Sequence, residues 1–158
     1  KLKTDEIKNI IDHLQLEYQQ YDRPFFIQEV AKGFSFATKP EYAPWIKKLL
    51  NNEKAYSLSK ASIETLAIIA YNQPITRLEI EKIRGVNCSN ILYNLLKNDF
   101  IRIKGRKKIP GNPLIYNVTD KFLLHFGLKS LSDLPQIHEM GLREDESKIT
   151  KIFSGDGN

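Results

Sequence analysis

The sequence predicts a mainly α protein with small β-hairpins (an α+β chain), built as two tandem winged-helix domains, the first incomplete at its N-terminus. Two short apolar helices meet at a tight turn around Gly85, and two β-prone segments then flank a basic loop over 105–113. A helix, a hairpin and a further aromatic-bearing helix occur twice, over residues 4–50 and 88–127. The 158 residues suffice for one ordinary domain or two small ones.

Residues 4–20 set Ile7, Ile10, Ile11, Leu14 and Tyr18 at helical spacing behind Thr4, which is suited to an N-cap, so an amphipathic helix is expected. Arg23-Pro24 stops it. Phe25 to Val30 and Phe34 to Thr38 are β-prone, and Ala31-Lys32-Gly33 between them predicts a hairpin whose glycine takes the positive φ. From Pro40 to Leu50, Tyr42, Trp45, Ile46 and Leu49 return to helical spacing, with Pro44 tolerable in the first turn.

Beyond Asn51-Asn52, Ser59 can cap a helix in which Ile63, Leu66, Ala67 and Ala70 form one face. Ile68, Ile69 and Tyr71 make it apolar nearly all round, so it belongs at the centre of a core. Gln73-Pro74 ends that helix, and Thr76 with Glu79 makes a capping box for a short helix to Arg84. Gly85 suits the left-handed C′ position and Asn87 the next cap, after which Ile91, Leu92, Leu95 and Leu96 face inward. Phe100 to Ile103 alternates as a strand, Gly105 to Pro113 reads as an irregular loop, and Leu114 to Val118 alternates back. Thr119 or Asp120 opens a last helix through Phe122, Leu123 and Phe126, ended by Gly127. The expected domains are 1–54, whose first helices would precede Lys1, and 55–135, followed by a solvated, mobile tail over 136–158.

The formal charge is +5, and Arg102, Lys104, Arg106, Lys107 and Lys108 lie in a stretch without an acid between Asp99 and Asp120. These five are the candidate phosphate contacts. With 41% hydrophobic residues and a mean hydropathy of −0.40, the composition is that of a soluble chain without a membrane-crossing segment. Cys88 has no partner for an internal disulfide, which points to a reducing cytosol. His13, His125 and His138 are scattered, and no acid pair, nucleophile with its base, metal-ligand spacing or phosphate-binding glycine loop occurs. No catalytic, cofactor or metal residue is assigned, and the chain is read as a non-enzyme. In the second of the paired helices, Ser89, Asn90, Tyr93, Asn94 and Lys97 face outward, with no Arg to read guanine. Sequence-specific DNA reading is therefore disfavoured, and an interaction module is the better reading, with Tyr71, Gln73, Tyr93, Phe34 and Trp45 among its candidate surface residues. A winged-helix DNA-binding regulator using the basic wing is the alternative.

Longer motifs carry a resemblance. Glu64-Thr65-Leu66-Ala67-Ile68-Ile69-Ala70-Tyr71, Gln73-Pro74-Ile75-Thr76-Arg77, Glu79-Ile80-Glu81, Ile83-Arg84-Gly85-Val86, Gly105-Arg106-Lys107, Pro110-Gly111, Phe126 to Leu131 and Asp133-Leu134-Pro135 resemble the segregation and condensation protein B (ScpB) family. In the first half Glu29-Val30, Gly33-Phe34, Thr38 and Pro40 to Pro44 are similar to the family's N-terminal wing and following helix. The resemblance implies an elongated protein of two winged-helix domains that forms a homodimer, mainly through the N-terminal domain. It implies a non-enzymatic adaptor whose C-terminal domain grips the central region of the kleisin ScpA, and through it SMC, in chromosome condensation and segregation. A cytoplasmic, nucleoid-associated location, weak or indirect DNA association and no cofactor belong to the same implication. Tyr71, Gln73, Arg77, Arg84 and Tyr93 are the kleisin-contact candidates it suggests. Two departures stand out: the family's opening helices are missing here, and Asn112 stands in the wing where an Arg is common.

Overall fold

The computed structural model describes residues 3–50 and 58–135. The chain divides into two compact units, Lys1–Ser57 and Leu58–Asn158. The division expected after residue 54 and the tail expected over 136–158 both fall outside the described residues.

The first unit opens with α1 (Thr4–Gln20), followed by β1 (Phe25–Val30) and β2 (Gly33–Thr38). Thr4 is the first helical residue and not the cap. Lys3 holds the cap position, because Glu6 one turn on reaches back to accept the Lys3 N–H at 2.8 Å. α1 lies over β1, with Gln15 Nε2 donating to the Ile27 carbonyl at 2.9 Å and the Tyr18 ring 5.6 Å from Phe25 and 5.7 Å from Phe36. Phe25 and Phe36 meet edge to face at 5.8 Å, and the Arg23 guanidinium sits 4.9 Å over Tyr18. A short 3-10 turn, Pro40–Tyr42, then leads into α2 (Ala43–Leu50).

The hairpin turn differs from the expectation that Gly33 would take the positive φ. β1 and β2 pair from Phe25↔Thr38 to Val30↔Gly33, so Gly33 is already in the ladder. The turn is the two residues Ala31 and Lys32, at φ 49° and 63°. Two consecutive left-handed residues make the turn whose twist matches that of the flanking strands, and this match outweighs the preference of Ala and Lys for negative φ. Among the described residues of this unit Val30 is the buried hydrophobic one; the α1 stripe of Ile7, Ile10 and Leu14 is 44%, 49% and 38% exposed.

The second unit runs α3 (Lys60–Asn72), β3 (Ile75–Thr76), α4 (Arg77–Arg84), α5 (Ser89–Lys97), β4 (Ile101–Arg106), β5 (Leu114–Val118) and α6 (Asp120–Phe126). Ser59 caps α3 by accepting the Ser62 N–H at 3.2 Å, and the helix buries Ile63, Leu66, Ala67, Ile69 and Ala70. Phe122, Leu66, Ile69, Ile80, Leu95 and Ile101 are the largest fully buried side chains of this core. Each such residue stabilises the fold by about 1.5–3 kcal/mol relative to exposure.

The sheet has the order β3-β5-β4, antiparallel throughout, with Ile75↔Tyr116 and Ile101↔Val118 among its pairs. β4 reaches Arg106, past the expected end at Ile103. A bulge between Ile103 and Gly105 absorbs Lys104, which lets Gly105 and Arg106 go on pairing with Ile115 and Leu114. The expected loop is shortened accordingly, and it is ordered: Asn112 N–H donates to the Ile109 carbonyl at 2.9 Å across Pro110-Gly111, and Lys107 N–H to the Pro113 carbonyl at 2.9 Å. Gly111, at φ 85°, supplies the left-handed residue that a turn with Pro one position earlier needs. The cap of α5 falls one residue past the expected Asn87: Cys88 holds it, while the Asn87 side chain accepts the Ser89 N–H at 3.0 Å. Gly85, at φ 71°, ends α4 as expected.

Ala31→Asn keeps the turn and suits the left-handed region, and we expect it to stabilise the hairpin by about 0.5–1 kcal/mol, whereas Ala31→Val destabilises it. Thermal unfolding of the two variants against the parent chain measures both signs.

Candidate functional site

The polar side chains of the second unit gather where β3 turns into α4. Thr76 is the last residue of β3 and also the N-cap of α4. Its hydroxyl accepts the Glu79 N–H at 3.4 Å, and Glu79 Oε2 accepts from both the Thr76 N–H and the Thr76 hydroxyl at 2.8 Å. Glu79 Oε1 takes the Lys107 ammonium, which ties the root of the β4–β5 loop to this helix start. The Lys107 hydrogen bond, then the Thr76 amide and hydroxyl, lower the Glu79 pKa from 4.5 to about 2.

A second network fixes the α4–α5 turn. Glu81 Oε1 accepts the Cys88 N–H at 3.1 Å and lies 3.7 Å from Arg77 Nε, while Arg77 Nη1 donates to Ser89 Oγ at 3.2 Å. Arg84 Nη2 reaches Glu64 on α3 at 3.1 Å, and Arg84 Nη1 lies 3.5 Å from the buried Cys88 sulfur. The Arg84 side chain is only 10% exposed, and the Glu64 carboxylate is its ion-pair partner.

The kleisin-contact candidates separate into two groups on this geometry. Tyr71 donates its hydroxyl to the Pro135 carbonyl at 2.8 Å, and burial pushes that hydroxyl's pKa up. Gln73 donates to the Ala70 carbonyl at 3.2 Å and accepts the Val118 N–H at 3.0 Å, joining the end of α3 to β5. With Arg84, these residues spend their polar groups inside the unit. Tyr93, 65% exposed, and Arg77, with half its side chain exposed, face outward. Leu78, Ile83 and Val86 are also exposed, at 64%, 55% and 55%, and none of them is among the contact candidates that the sequence suggests. The signal was present in the length of α4: two turns carrying Leu78, Ile80 and Ile83 cannot bury all three, and Ile80 takes the core.

The five basic candidates separate as well. Lys107 is paired with Glu79, and Arg106 donates to the Asn112 carbonyl at 3.0 Å. Arg102, Lys104 and Lys108 are exposed and make no ion pair among the described residues. The His125 ring stands edge-on to Phe100 at 5.1 Å and to Phe126 at 5.0 Å, and burial with the nearby Lys121 charge keeps its pKa below the ordinary value. His13 Nδ1 lies 2.7 Å from the Asn9 carbonyl on α1. Among the described residues no group of three or more His, Cys, Asp or Glu is placed to hold a metal ion, and no helix is long and apolar enough to cross a membrane.

Residues 1–137 match the family described as segregation and condensation complex subunit ScpB. The chain belongs to the ScpB family. Segregation and condensation protein B of Halalkalibacterium halodurans is 44% identical over 149 residues, covering 94% of this chain and 74% of that protein. The protein of the same name from Syntrophotalea carbinolica is 40% identical over 150 residues, covering 94% and 76%. Among solved structures, ScpB from Mycobacterium tuberculosis is similar at 29% identity and a TM-score of 0.46 over 75% of this chain and 73% of that one. The mixed helix and small-sheet architecture described above is thus that of a ScpB-family chain, and the family is one of segregation and condensation subunits and not of enzymes. Several residues that carried the resemblance, Gln73, Thr76, Glu79 and Arg84, are ones with which this ScpB-family chain holds its own elements together.

Removing the cap hydroxyl by Thr76→Ala is expected to lower stability by about 1 kcal/mol, read from the unfolding midpoint. Because the folded pKa of Glu79 is depressed, its contribution is complete above its ordinary value of 4.5 and disappears as pH falls towards about 2. Glu79→Gln is therefore expected to flatten the acid limb of the melting profile across that window and to lower stability at neutral pH.

Proposed function

We propose that this chain is a non-enzymatic adaptor of the bacterial SMC complex that binds the kleisin ScpA, and through it SMC, in chromosome condensation and segregation. The observation that carries this reading is the family match over residues 1–137, which spans both units. On this reading the second unit is a winged helix, in keeping with its α-β-α-α-β-β order, and it uses its outward aromatic and apolar side chains where a DNA reader would place arginines. Tyr93 and Arg77 contact the kleisin directly, whereas Tyr71, Gln73 and Arg84 act by holding the helices that present it. The complex works in the cytoplasm at the nucleoid.

The first unit supplies self-association in this proposal. Ile7, Ile10 and Leu14 recur at helical spacing on α1 and stay more than a third exposed, and Trp45 and Leu49 on α2 are 68% and 78% exposed. So large an apolar exposure on a unit whose described core is mainly Val30 is the usual mark of a protein-binding face. A second copy offers the same stripe, which suits an isologous contact.

Size exclusion with light scattering, on the chain alone and mixed with its cognate ScpA, tests both parts. A stable complex of higher mass is expected with ScpA, and its absence would sink the adaptor reading. The chain alone is expected at dimer mass, and Ile10→Asp at monomer mass; a parent chain at monomer mass would sink self-association and leave the adaptor reading standing. Tyr93→Ala is expected to weaken ScpA binding about tenfold, equal to about 1.4 kcal/mol, without moving the melting temperature. Glu64→Ala, which strips Arg84 of its partner, is expected to lower the melting temperature instead.

A further inference from the structure

We propose that the β4–β5 hairpin holds the phosphate backbone of duplex DNA, without regard to base sequence, through Arg102, Lys104 and Lys108. This surface is separate from the kleisin contacts and does not depend on them. Three features of the hairpin lead to it.

The charge is local and unneutralised. No acid occurs between Asp99 and Asp120, and among the described residues the carboxylate that reaches the hairpin from another element, Glu79, is taken by Lys107. Arg102, Lys104 and Lys108 stand exposed to solvent.

The scaffold that carries these cations is built in advance. Ile101 is buried beneath the strand, so alternation turns Arg102 outward, and the bulge gives Lys104 a position without a partner in the ladder. At the tip, the Ile109–Asn112 turn, the Lys107 N–H bond to the Pro113 carbonyl and the Arg106 bond to the Asn112 carbonyl fix the backbone beside Lys108. Binding then orders side chains and not the loop, which lowers its entropic cost.

The composition selects the ligand. Residues 101–114 contain no Phe, Tyr or Trp, so there is no ring on which unpaired bases could stack. Protein interfaces are depleted in Lys and enriched in aromatic residues at their centre, and here two of the three free cations are Lys. A regular array of phosphates is the partner that such a surface fits. Base reading is not part of it: α5 offers Asn90, Tyr93, Asn94 and Lys97 outward, and its Ser89 hydroxyl is already engaged by Arg77.

The test is anisotropy titration of a labelled mixed-sequence duplex with the full chain at increasing salt. At about 0.9 per neutralised phosphate, three contacts predict a log–log salt slope of about −2.7, or an affinity loss of about 40-fold between 50 and 200 mM salt. Unrelated duplexes are expected to bind alike. Arg102→Gln/Lys104→Gln/Lys108→Gln is expected to lose this binding while keeping the parent's thermal transition and its affinity for ScpA. Should the triple variant melt early, Lys104→Gln and Lys108→Gln singly, each reducing the slope by about 0.9, decide the matter. Lys97→Gln, on the outward face of α5, is expected to change nothing. A flat salt dependence, parent-like binding by the triple variant, or an equal loss in Lys97→Gln would each overturn the proposal. Polyglutamate competing as well as duplex DNA would overturn it in favour of an acidic protein partner.

Discussion

The second unit depends on one junction, the point at which a two-residue strand becomes a helix at Thr76. This residue pairs with Ile115 as the end of β3, caps α4 with its hydroxyl, and receives the returning carboxylate of Glu79. A strand end and a helix start both leave backbone donors without partners, and here two acceptors, Thr76 Oγ1 and Glu79 Oε2, take the Glu79 and Thr76 N–H groups. Lys107 completes the set from the far side of the β4–β5 loop. Glu79 is thereby held ionised, and α4, the sheet and the root of the β4–β5 loop are joined at a single carboxylate. The second network, from Glu64 through Arg84 and from Glu81 to Cys88, then fixes the angle at which α5 leaves α4. Surfaces presented by α5 and by the hairpin are rigid because their roots are.

The two units stabilise themselves by different means. The second buries Leu66, Ile69, Ile80, Leu95, Ile101 and Phe122 almost completely, a close-packed core that its hydrogen-bonded caps enclose. Among its described residues the first shows an aromatic cluster, Tyr18 with Phe25 and Phe36, and a side-chain bond from α1 to the hairpin, Gln15 to Ile27. Phe36 in that cluster is itself 62% exposed. Aromatic pairs contribute roughly 0.5–1.5 kcal/mol each beyond their burial, which is modest beside what a filled core supplies. A unit so constituted gains stability by covering its apolar faces, and this is the physical reason to read α1 and α2 as association surfaces and not as finished exterior.

Much of this was legible in the sequence, and the legible parts share a feature: their determinants lie close together in the chain. Ser59, the Thr76–Glu79 box, Gly85 and Gly127 act within one helical turn, and the structure uses each of them as caps and stops. Apart from two helix caps that fall one residue from their expected places, at Lys3 and Cys88, what went unread depends on pairing across the sheet. The two-residue β3 exists only because Tyr116 and Ile115 lie opposite, and the extension of β4 to Arg106 exists only because the bulge at Lys104 keeps the register with β5. The hairpin turn at Ala31-Lys32 misled for the same reason: Gly33 is the local candidate for positive φ, but the register of β1 against β2 sets where the turn falls. The site residues follow the rule too. The family resemblance marked Tyr71, Gln73 and Arg84 as candidates, and only long-range partners, Pro135, Val118 and Glu64, reveal that their polar groups are already committed.

Burial and charge also divide the labour among the exposed positions. Tyr93, Leu78, Ile83 and Val86 project from the paired helices and gain most from a partner that excludes water, because an aromatic or aliphatic side chain is worth little until it is covered. Arg102, Lys104 and Lys108 project from the hairpin and gain most where water and salt remain, because counterion release rewards a long flexible cation at an open surface. The two kinds of contact call for opposite environments, and the unit places them on different elements. Glu79 takes one cation of the β4–β5 loop by pairing with Lys107, so the free charge of the hairpin lies on β4 and at the tip.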